Sequence, residues 1–207
     1  MLKYVSMADD HTATLLRLFD ERRFVRARDL AEFGIPRAYL SRLVEQGRIR
    51  RVARGLYERM DAPSDERATL AEVCARVPRA VVCLVSAAQL HELTVGTPYA
   101  VWVALPPGTP RPRLDFVVLE IAYVEPALLT GSAVRVEDYF GADIRVTSPA
   151  RTVVDMFRFR GRVGLEVALE VLQAYVRRTN TLDALLDEAR RVKVDKVMAP
   201  YLEAFLA

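Results

Sequence analysis

The chain has 207 residues and 52% of them are apolar, which suffices for one large domain or two small ones with packed cores. The formal net charge is only +3, yet residues 1–60 carry thirteen basic and eight acidic side chains, against seventeen and nineteen in residues 61–207. The longest uncharged run, Leu93 to Pro110, holds four prolines and two glycines, which excludes a membrane-spanning helix in that stretch.

The first sixty residues predict three helices followed by a hairpin. The predicted helices, in which apolar residues recur at helical spacing, span residues 10–23, 27–33 and 36–46. Gly34 and Pro36 separate the second helix from the third. Two short strands, 49–52 and 56–59, flank Gly55, which can supply the positive φ of a tight turn. We therefore expect a winged helix-turn-helix domain over residues 1–60.

The third predicted helix has an apolar side and a polar side. The residues expected to face the core are Leu40, Leu43 and Val44. The residues on the opposite side are Arg37, Ser41 and Arg42, with Tyr39 at the margin. A helix of this kind fits the major groove of DNA, where base edges present distinct donors and acceptors. These four polar residues are therefore candidate DNA contacts.

The turn after this helix and the hairpin over residues 49–59, which we call the wing, are rich in arginine. The side chains that could reach flanking phosphates are Arg48, Arg50, Arg51 and Arg54. A guanidinium group donates two parallel hydrogen bonds to a phosphate or a guanine edge, so the pattern predicts binding to double-stranded DNA. Two other interpretations stay open: the chain is rich in arginine throughout, and helix-hairpin modules of this size also contact proteins.

The second part of the chain predicts a mixed α/β body that ends in a helical tail, so the expected fold class is α+β. The turn-rich segment 61–65 marks the boundary, and the second domain covers residues 61–207. The predicted strands span 80–85, 100–105, 116–124, 133–136 and 144–146. The predicted helices begin at 66, 86, 148, 162, 181 and 196. Ser86 with Gln89 has the pattern of a capping box, and Ser148 before Pro149 that of an N-cap.

The residues give little support to an enzymatic function. His11 and His91 lie far apart and, together with Cys74 and Cys83, lack the spacing of metal ligands. The glycine-rich phosphate loops and the kinase signature motifs are missing from the sequence. We therefore predict no catalytic residue, no metal and no cofactor. The two cysteines in apolar surroundings favour a reducing compartment, and we expect a cytoplasmic protein.

Two features of the helical tail allow either a structural or a partner-binding interpretation. Arg151 and Asp155 are four residues apart on one helix, where they can form an ion pair. The predicted helix over 162–178 is apolar nearly all round, so it either forms the core of the tail or contacts a partner. The candidate partner-binding residues on it are Leu165, Leu169, Leu172 and Tyr175.

Several segments, taken together, resemble one bacterial family. Residues 34–37 (Gly-Ile-Pro-Arg) and 43–57 resemble the N-terminal winged helix of AbiEi-type antitoxins. Residues 85–93, 101–106 and 147–155 resemble the body of the same family, in the same order. Each motif alone is weak, but the ordered set covers most of the chain and is fairly specific.

This resemblance implies an antitoxin of a two-gene toxin–antitoxin module. Such antitoxins bind inverted repeats in their own promoter through the N-terminal domain and repress it. Their C-terminal domain counteracts a partner toxin with a nucleotidyltransferase fold. The positions that carry over for DNA binding are the eight residues named above on the third helix and in the wing. We expect a monomer or weak dimer in solution, with two copies on a palindromic operator.

Two other functions stay open at this point. An atypical enzyme could neutralise the toxin by covalent modification, for instance as a protein kinase. Alternatively, a stand-alone winged-helix transcription factor could carry a ligand-sensing body. The mass of a co-expressed toxin tests the first alternative. The presence of an adjacent nucleotidyltransferase-like gene tests the second.

Overall fold

The computed structural model describes residues 2–96, 98–179 and 181–206, and the side chains discussed below lie between residues 10 and 205. The chain divides into two compact units, Met1–Arg76 with Asp138–Asp143, and Val77–Glu137 with Ile144–Ala207. The first unit therefore extends past the predicted boundary at 61–65. One contact that ties this extension to the rest of the unit runs from the Arg26 guanidinium to the carbonyl of Ala75, at 2.8 Å.

The first unit contains helices, one 3-10 turn and a small sheet. The helices are α1 (Leu2–Glu21), α2 (Ala38–Glu45) and α3 (Glu66–Arg76), and the 3-10 turn spans Asp29–Phe33. The strands are β1 (Val25–Arg26), β2 (Ile49–Ala53) and β3 (Leu56–Arg59), which form an antiparallel sheet in the order β1-β3-β2. This order of elements, with a β2–β3 hairpin after the third helical segment, fits the predicted winged helix-turn-helix.

A compact aliphatic core holds these elements together. Its fully buried members come from every layer of the domain: Leu15, Leu30, Leu40, Leu43 and Ile49. Burying one such side chain contributes about 1.5–3 kcal/mol, so a few of them fix α2 against the sheet. The buried positions of α2 are three residues apart, which turns the opposite side of that helix to solvent.

The structure differs from the sequence-based expectation at three places in this unit. Helix α1 begins at Leu2 rather than near residue 10. The predicted helix over 27–33 is reduced to the 3-10 turn, because the Ala27 amide donates to the Gly55 carbonyl at 2.9 Å and continues the sheet. Val44 was expected in the core but is 37% exposed, since only Leu40 and Leu43 point inward.

The second unit is built on a five-stranded mixed sheet in the order β6-β5-β4-β8-β7. Its strands are β4 (Val81–Val82), β5 (Val101–Leu105), β6 (Leu119–Tyr123), β7 (Val134–Tyr139) and β8 (Ala142–Thr147). Strand β4 pairs antiparallel with β5 and parallel with β8, and β5 pairs parallel with β6. The turn between β7 and β8, Asp138–Asp143, groups with the first unit.

Helices pack against this sheet and continue into the C-terminal tail. They are α4 (Leu84–Leu90), α5 (Pro149–Arg158), α6 (Arg160–Val163), α7 (Leu165–Arg178), α8 (Asp183–Arg191) and α9 (Asp195–Leu206), with 3-10 turns at Pro126–Leu128 and Gly131–Ala133. The core between them includes Trp102, Val153, Phe157 and Leu172. The predicted α+β class with a helical tail is confirmed. Among the described residues, no helix combines the length and the apolar content needed to cross a membrane.

Two helix starts test the capping predictions. Ser148 caps α5 as expected, and its hydroxyl accepts a hydrogen bond from the Arg151 amide at 3.4 Å. The capping box at Ser86 is wrong, because α4 already begins at Leu84 and Ser86 lies inside it. The buried Ser86 hydroxyl instead accepts from the Trp102 amide at 3.0 Å, which ties α4 to β5.

Candidate nucleic-acid interface

The solvent side of α2 carries the polar residues that the sequence placed there. Arg37 precedes the helix as its N-cap residue, and Ser41 and Arg42 lie one turn further on. All three side chains are exposed, whereas the intervening Leu40 and Leu43 are fully buried. The helix therefore offers one face of hydrogen-bonding groups while the other face holds it rigidly on the domain.

Tyr39 has a different position from the three exposed residues. Its half-buried ring packs edge-to-face on His11, with ring centroids 5.4 Å apart. The guanidinium of Arg42 lies over the Tyr39 ring, 5.0 Å from its centroid. A cation above an aromatic face is attracted by the ring quadrupole, so Tyr39 orients Arg42. This geometry makes Tyr39 a support for Arg42 rather than a freely stacking residue.

The two adjacent arginines of the wing serve different faces of the hairpin. In the antiparallel register Arg50 stands opposite Glu58, and Arg51 stands opposite Tyr57. Successive residues of a strand point to opposite faces, so Arg50 and Arg51 diverge. The register then shifts between Arg51 and Ala53, as in a β-bulge. Exposed Arg51 donates from Nε to the Ala53 carbonyl at 3.2 Å, a local contact within the wing.

A buried carboxylate anchors the base of the wing. Glu58 is completely buried, and one of its oxygens lies 2.9 Å from the guanidinium of buried Arg23. Its other oxygen pairs with the half-exposed Arg50. Arg23 also donates to the carbonyl of Pro63 at 2.5 Å. Through its contacts with Glu58 and Pro63, Arg23 links β3 to the segment before α3. Burial raises the pKa of nearby Glu72, and the negative charge of Glu58 adds to that increase.

The arginines of the first unit therefore fall into two groups. One group is occupied within the protein: Arg23 and Arg50 by Glu58, Arg26 by a carbonyl, and Arg59 by Asp61 and Asp20. The Arg59–Asp61 contact is bidentate, at 2.7 and 2.9 Å, and this hydrogen bonding lowers the pKa of Asp61.

The second group is available to a ligand. Four arginines on α2 and around the wing are exposed and form no ion pair with any residue that the structure describes: Arg37, Arg42, Arg48 and Arg54. These four lie before α2, on it, in the turn after it and at the tip of the wing. Exposed Arg22 and Arg51 form none either, but Arg22 lies just after α1 and Arg51 donates to the Ala53 carbonyl. Of the eight predicted DNA contacts, Arg50 is the one whose charge is already paired.

Sequence reasoning did not identify Glu58 as part of this site. In β3, Leu56 and Glu58 are buried while Tyr57 and Arg59 are partly exposed, so Glu58 occupies an inward position of an alternating strand. An acid at such a position requires a cation, and the facing position on β2 is an arginine. The alternation, combined with the hairpin register, is the signal that could have revealed the pair.

In the second unit, one side of the helix that was expected to form either the core of the tail or a partner surface lies in the core. Leu172 and Tyr175 are buried in the main hydrophobic cluster, which accounts for their apolar character. Leu165 is 38% exposed and Leu169 is partly buried, so these two keep surface that a partner could reach. The predicted continuous helix over 162–178 is also interrupted by Gly164, whose φ is +91°.

Arg151 is structural, as the simpler interpretation held, but it is buried rather than on the surface. Its Nε donates to Asp155 at 2.8 Å, and Nη1 donates to the Leu128 carbonyl at 2.6 Å and to Glu188 at 3.4 Å. Burial raises the pKa of Asp155, although the Arg151 charge acts in the opposite direction. The network joins the start of α5 to α8 and to the Pro126–Leu128 turn.

The remaining candidate groups are also explained by packing. His91 is hydrogen-bonded through Nε2 to the Thr147 carbonyl at 2.7 Å. Cys74 and Cys83 are buried free thiols, and burial raises the pKa of Cys83. Within the described residues, no cluster of three or more histidine, cysteine, aspartate or glutamate side chains has the arrangement of a metal site.

Comparisons with known proteins concern the overall fold and one segment of the first unit. The crystal structure of the RV2827C protein from Mycobacterium tuberculosis has a similar fold, with a TM-score of 0.55 and 17% identity over 86% of this chain and 69% of that one. No curated protein matches the sequence. The model of the family described as "Transcriptional regulator, AbiEi antitoxin" matches residues 14–59, which contain α2 and the wing. The resemblance to the AbiEi antitoxin family of transcriptional regulators is thereby confirmed for this segment.

Proposed function

We propose that this protein is an antitoxin that represses its own operon by binding inverted-repeat promoter DNA. In this proposal the first unit binds the duplex, and the second unit counteracts a nucleotidyltransferase-like toxin. The observation that carries the DNA-binding part is that Arg37, Arg42, Arg48 and Arg54 form no ion pair with any described residue, whereas Arg50 and Arg59 do. The toxin-binding part rests on the family resemblance.

The geometry supports distinct roles for the helix and the wing. Helix α2 is anchored by Leu40 and Leu43, so its exposed Ser41 and Arg42 form a rigid edge that can enter a major groove. Arg42 is held over Tyr39, which presents its guanidinium in a defined direction for a base edge. Arg48 lies in the turn before β2 and Arg54 in the turn between β2 and β3, and in this proposal both contact phosphates.

A direct experiment is the binding of the full-length protein to labelled DNA from upstream of its gene, followed by fluorescence anisotropy. We expect Arg42→Ala to lower the affinity by about tenfold, because a good bidentate contact to a base is worth about 1–3 kcal/mol. Arg177→Ala serves as the matched control, since Arg177 is an exposed arginine of the second unit. Equal affinities of the two variants would contradict the assignment of α2 as the recognition helix.

The two alternatives are separated by co-expression with the adjacent gene product. Rescue of growth with a toxin of unchanged intact mass supports antitoxin action without covalent modification. A phosphorylated toxin would instead establish the atypical enzyme. Absence of any toxic neighbour would favour the stand-alone transcription factor. Under our proposal, Arg42→Ala abolishes repression while rescue of growth is retained.

A further inference from the structure

The second unit contains a cavity that the DNA-binding proposal does not use. Its volume is about 400 Å³, within the range of small-molecule sites. It lies among the start of α5, strand β7 and the end of α7. Its polar lining comprises His91, Ser132, Arg135, Ser148, Tyr175, Arg178 and Thr179. None of the described residues that line it is acidic. The positive charge of the lining therefore comes from Arg135 and Arg178, while the carboxylates of Glu92, Glu137 and Glu188 contact the lining from outside it.

The two arginines that line the cavity differ in how far their guanidinium groups are already occupied by other residues. Arg135 is exposed and forms no ion pair with a residue of the described ranges. Arg178 donates one hydrogen bond to the His91 carbonyl at 3.2 Å and lies 3.6 Å from the exposed carboxylate of Glu92. An exposed pair at this distance contributes little, so an anion inside the cavity can compete for this guanidinium.

The start of α5 adds neutral donors to the same space. Ser148 caps the helix by accepting the Arg151 amide, which leaves its hydroxyl proton free to donate. Pro149 has no N–H, and the Ala150 amide has no acceptor among the described residues. The Tyr175 hydroxyl, which is hydrogen-bonded to Thr179 and whose pKa is raised by burial, stays neutral and can also donate.

His91 supplies the opposite kind of group, a buried acceptor. Only 7% of its side chain is exposed, and Nε2 lies 2.7 Å from a carbonyl oxygen, so Nε2 must carry the proton and donate. Burial lowers the pKa of His91, which keeps the ring neutral. Nδ1 then has a free lone pair, and its neighbour is the Glu137 carboxylate at 3.9 Å, beyond hydrogen-bond distance. A ligand group that contacts Nδ1 of His91 must therefore donate a proton to it.

We propose that this cavity binds a phosphoryl group in its monoprotonated form. The guanidinium groups of Arg135 and Arg178 pair with the phosphoryl oxygens, and the Ser148 hydroxyl and Ala150 amide donate to them. The P–OH proton is donated to Nδ1 of His91. Sulfate carries the same charges and shape but no proton at neutral pH, so it cannot make the last contact. The volume leaves room for an organic substituent, so the phosphoryl group can belong to a free phosphate or to a phosphate monoester.

The experiment is a titration of the full-length protein, labelled with ¹⁵N in its two histidines, followed by long-range ¹H–¹⁵N spectra. Inorganic phosphate, adenosine 5′-monophosphate, sulfate and chloride are added at matched ionic strength. We expect phosphate or the monophosphate to shift the His91 Nδ1 resonance saturably, and sulfate to bind at least tenfold more weakly. His11, next to Tyr39 in the other unit, is the internal control and should not respond in the same way.

Substitutions then locate the site. Arg135→Gln and Arg178→Gln should each weaken binding at least tenfold, whereas Arg177→Gln, beside Arg178 on the same helix, should not. Tighter binding of the monophosphate than of inorganic phosphate would identify an organic phosphate as the ligand, and the reverse a free phosphate. A His91 resonance that responds to none of the anions, or equally to sulfate and phosphate, would overturn the proposal. Neither result bears on DNA binding, whose arginines lie in the first unit.

Discussion

Arg50 and Glu58 stand opposite each other on the two strands of the wing, and their side chains form an ion pair. The same carboxylate pairs with Arg23, which is itself buried. Cross-strand partners of opposite charge stabilise a hairpin, and here the acid is completely removed from water. Glu58 therefore holds the wing through contacts on its buried side, while Arg51 and Arg54 remain exposed.

The first prediction concerns this anchor. Glu58→Gln leaves the buried Arg23 guanidinium without a counterion, and removing one partner of a buried pair costs about 3–5 kcal/mol. Native-state hydrogen exchange of the β2 and β3 amides measures the effect in the relevant unit. Arg50→Gln is the matched control, because Arg50 is half-exposed and its loss should cost about 1 kcal/mol or less. Similar protection in both variants would refute the anchoring role of Glu58.

The second prediction separates support from direct contact at Tyr39. Because its ring lies beneath the Arg42 guanidinium, Tyr39→Phe should preserve DNA affinity and Tyr39→Ala should reduce it. A cation–π contact at an exposed site is worth about 0.5–1 kcal/mol, so the expected loss is about twofold to fivefold. Anisotropy titrations with one duplex measure both variants. If Tyr39→Phe loses as much affinity as Tyr39→Ala, the hydroxyl contacts DNA directly.

The third prediction concerns the buried Arg151 network. Arg151→Met removes the cation between Asp155 and Glu188 and should lower the free energy of unfolding by about 3–5 kcal/mol. Urea unfolding can be followed through Trp102, the single tryptophan, which is buried in the core of the same unit. Arg190→Met, an exposed arginine on α8, should change the stability by less than about 1 kcal/mol. An equal effect of the two substitutions would contradict the network.

The fourth prediction concerns pH. Burial lowers the pKa of His91 below its ordinary value of about 6.5; the Thr147 carbonyl and Glu137 oppose this change, and Arg135 adds to it. The unfolded chain therefore binds more protons than the folded chain just below pH 6.5 or so, and the unfolding free energy falls as the pH drops through that value. The slope from one such group is at most about 1.4 kcal/mol per pH unit.

His91→Gln should remove this part of the pH dependence, since glutamine does not titrate but can still donate to the Thr147 carbonyl. Urea unfolding of the second unit at several pH values between about 5 and 8 measures this pH dependence, because the range includes the ordinary pKa of histidine. His11→Gln, in the first unit, is the control. If the His91 variant keeps the full slope of the natural protein, His91 is not the titrating group.

The local parts of the fold followed from the sequence. The apolar spacing of Leu40 and Leu43 placed α2, and Gly55, with φ +70°, placed the turn of the wing. These signals depend on neighbouring residues alone, which is why the predicted bounds of α2 and of the two wing strands agree with the structure within about two residues.

The features that the sequence analysis did not predict depend on contacts between residues that are far apart in the chain. Ser86 has the local pattern of an N-cap, but its hydroxyl is taken by Trp102, sixteen positions away. Arg151 receives its additional partners from Leu128 and Glu188, which the chain brings back only through the fold. Arg50 is opposite Glu58 in the hairpin register and forms an ion pair with it. Sequence periodicity gives no information on the partners of Ser86 and Arg151, whereas the alternation in β3 does point to the Arg50–Glu58 pair.

The most direct test of the central claim is the salt dependence of the affinity of the full-length protein for double-stranded DNA. Each phosphate contact contributes about 0.9 to the slope of log affinity against log salt concentration. Arg48→Ala and Arg54→Ala should each reduce the slope by about that amount, whereas Arg59→Gln should leave it unchanged because Asp61 already holds Arg59. Failure of the natural protein to bind any duplex in dilute buffer, or a slope that none of these substitutions alters, would contradict the account.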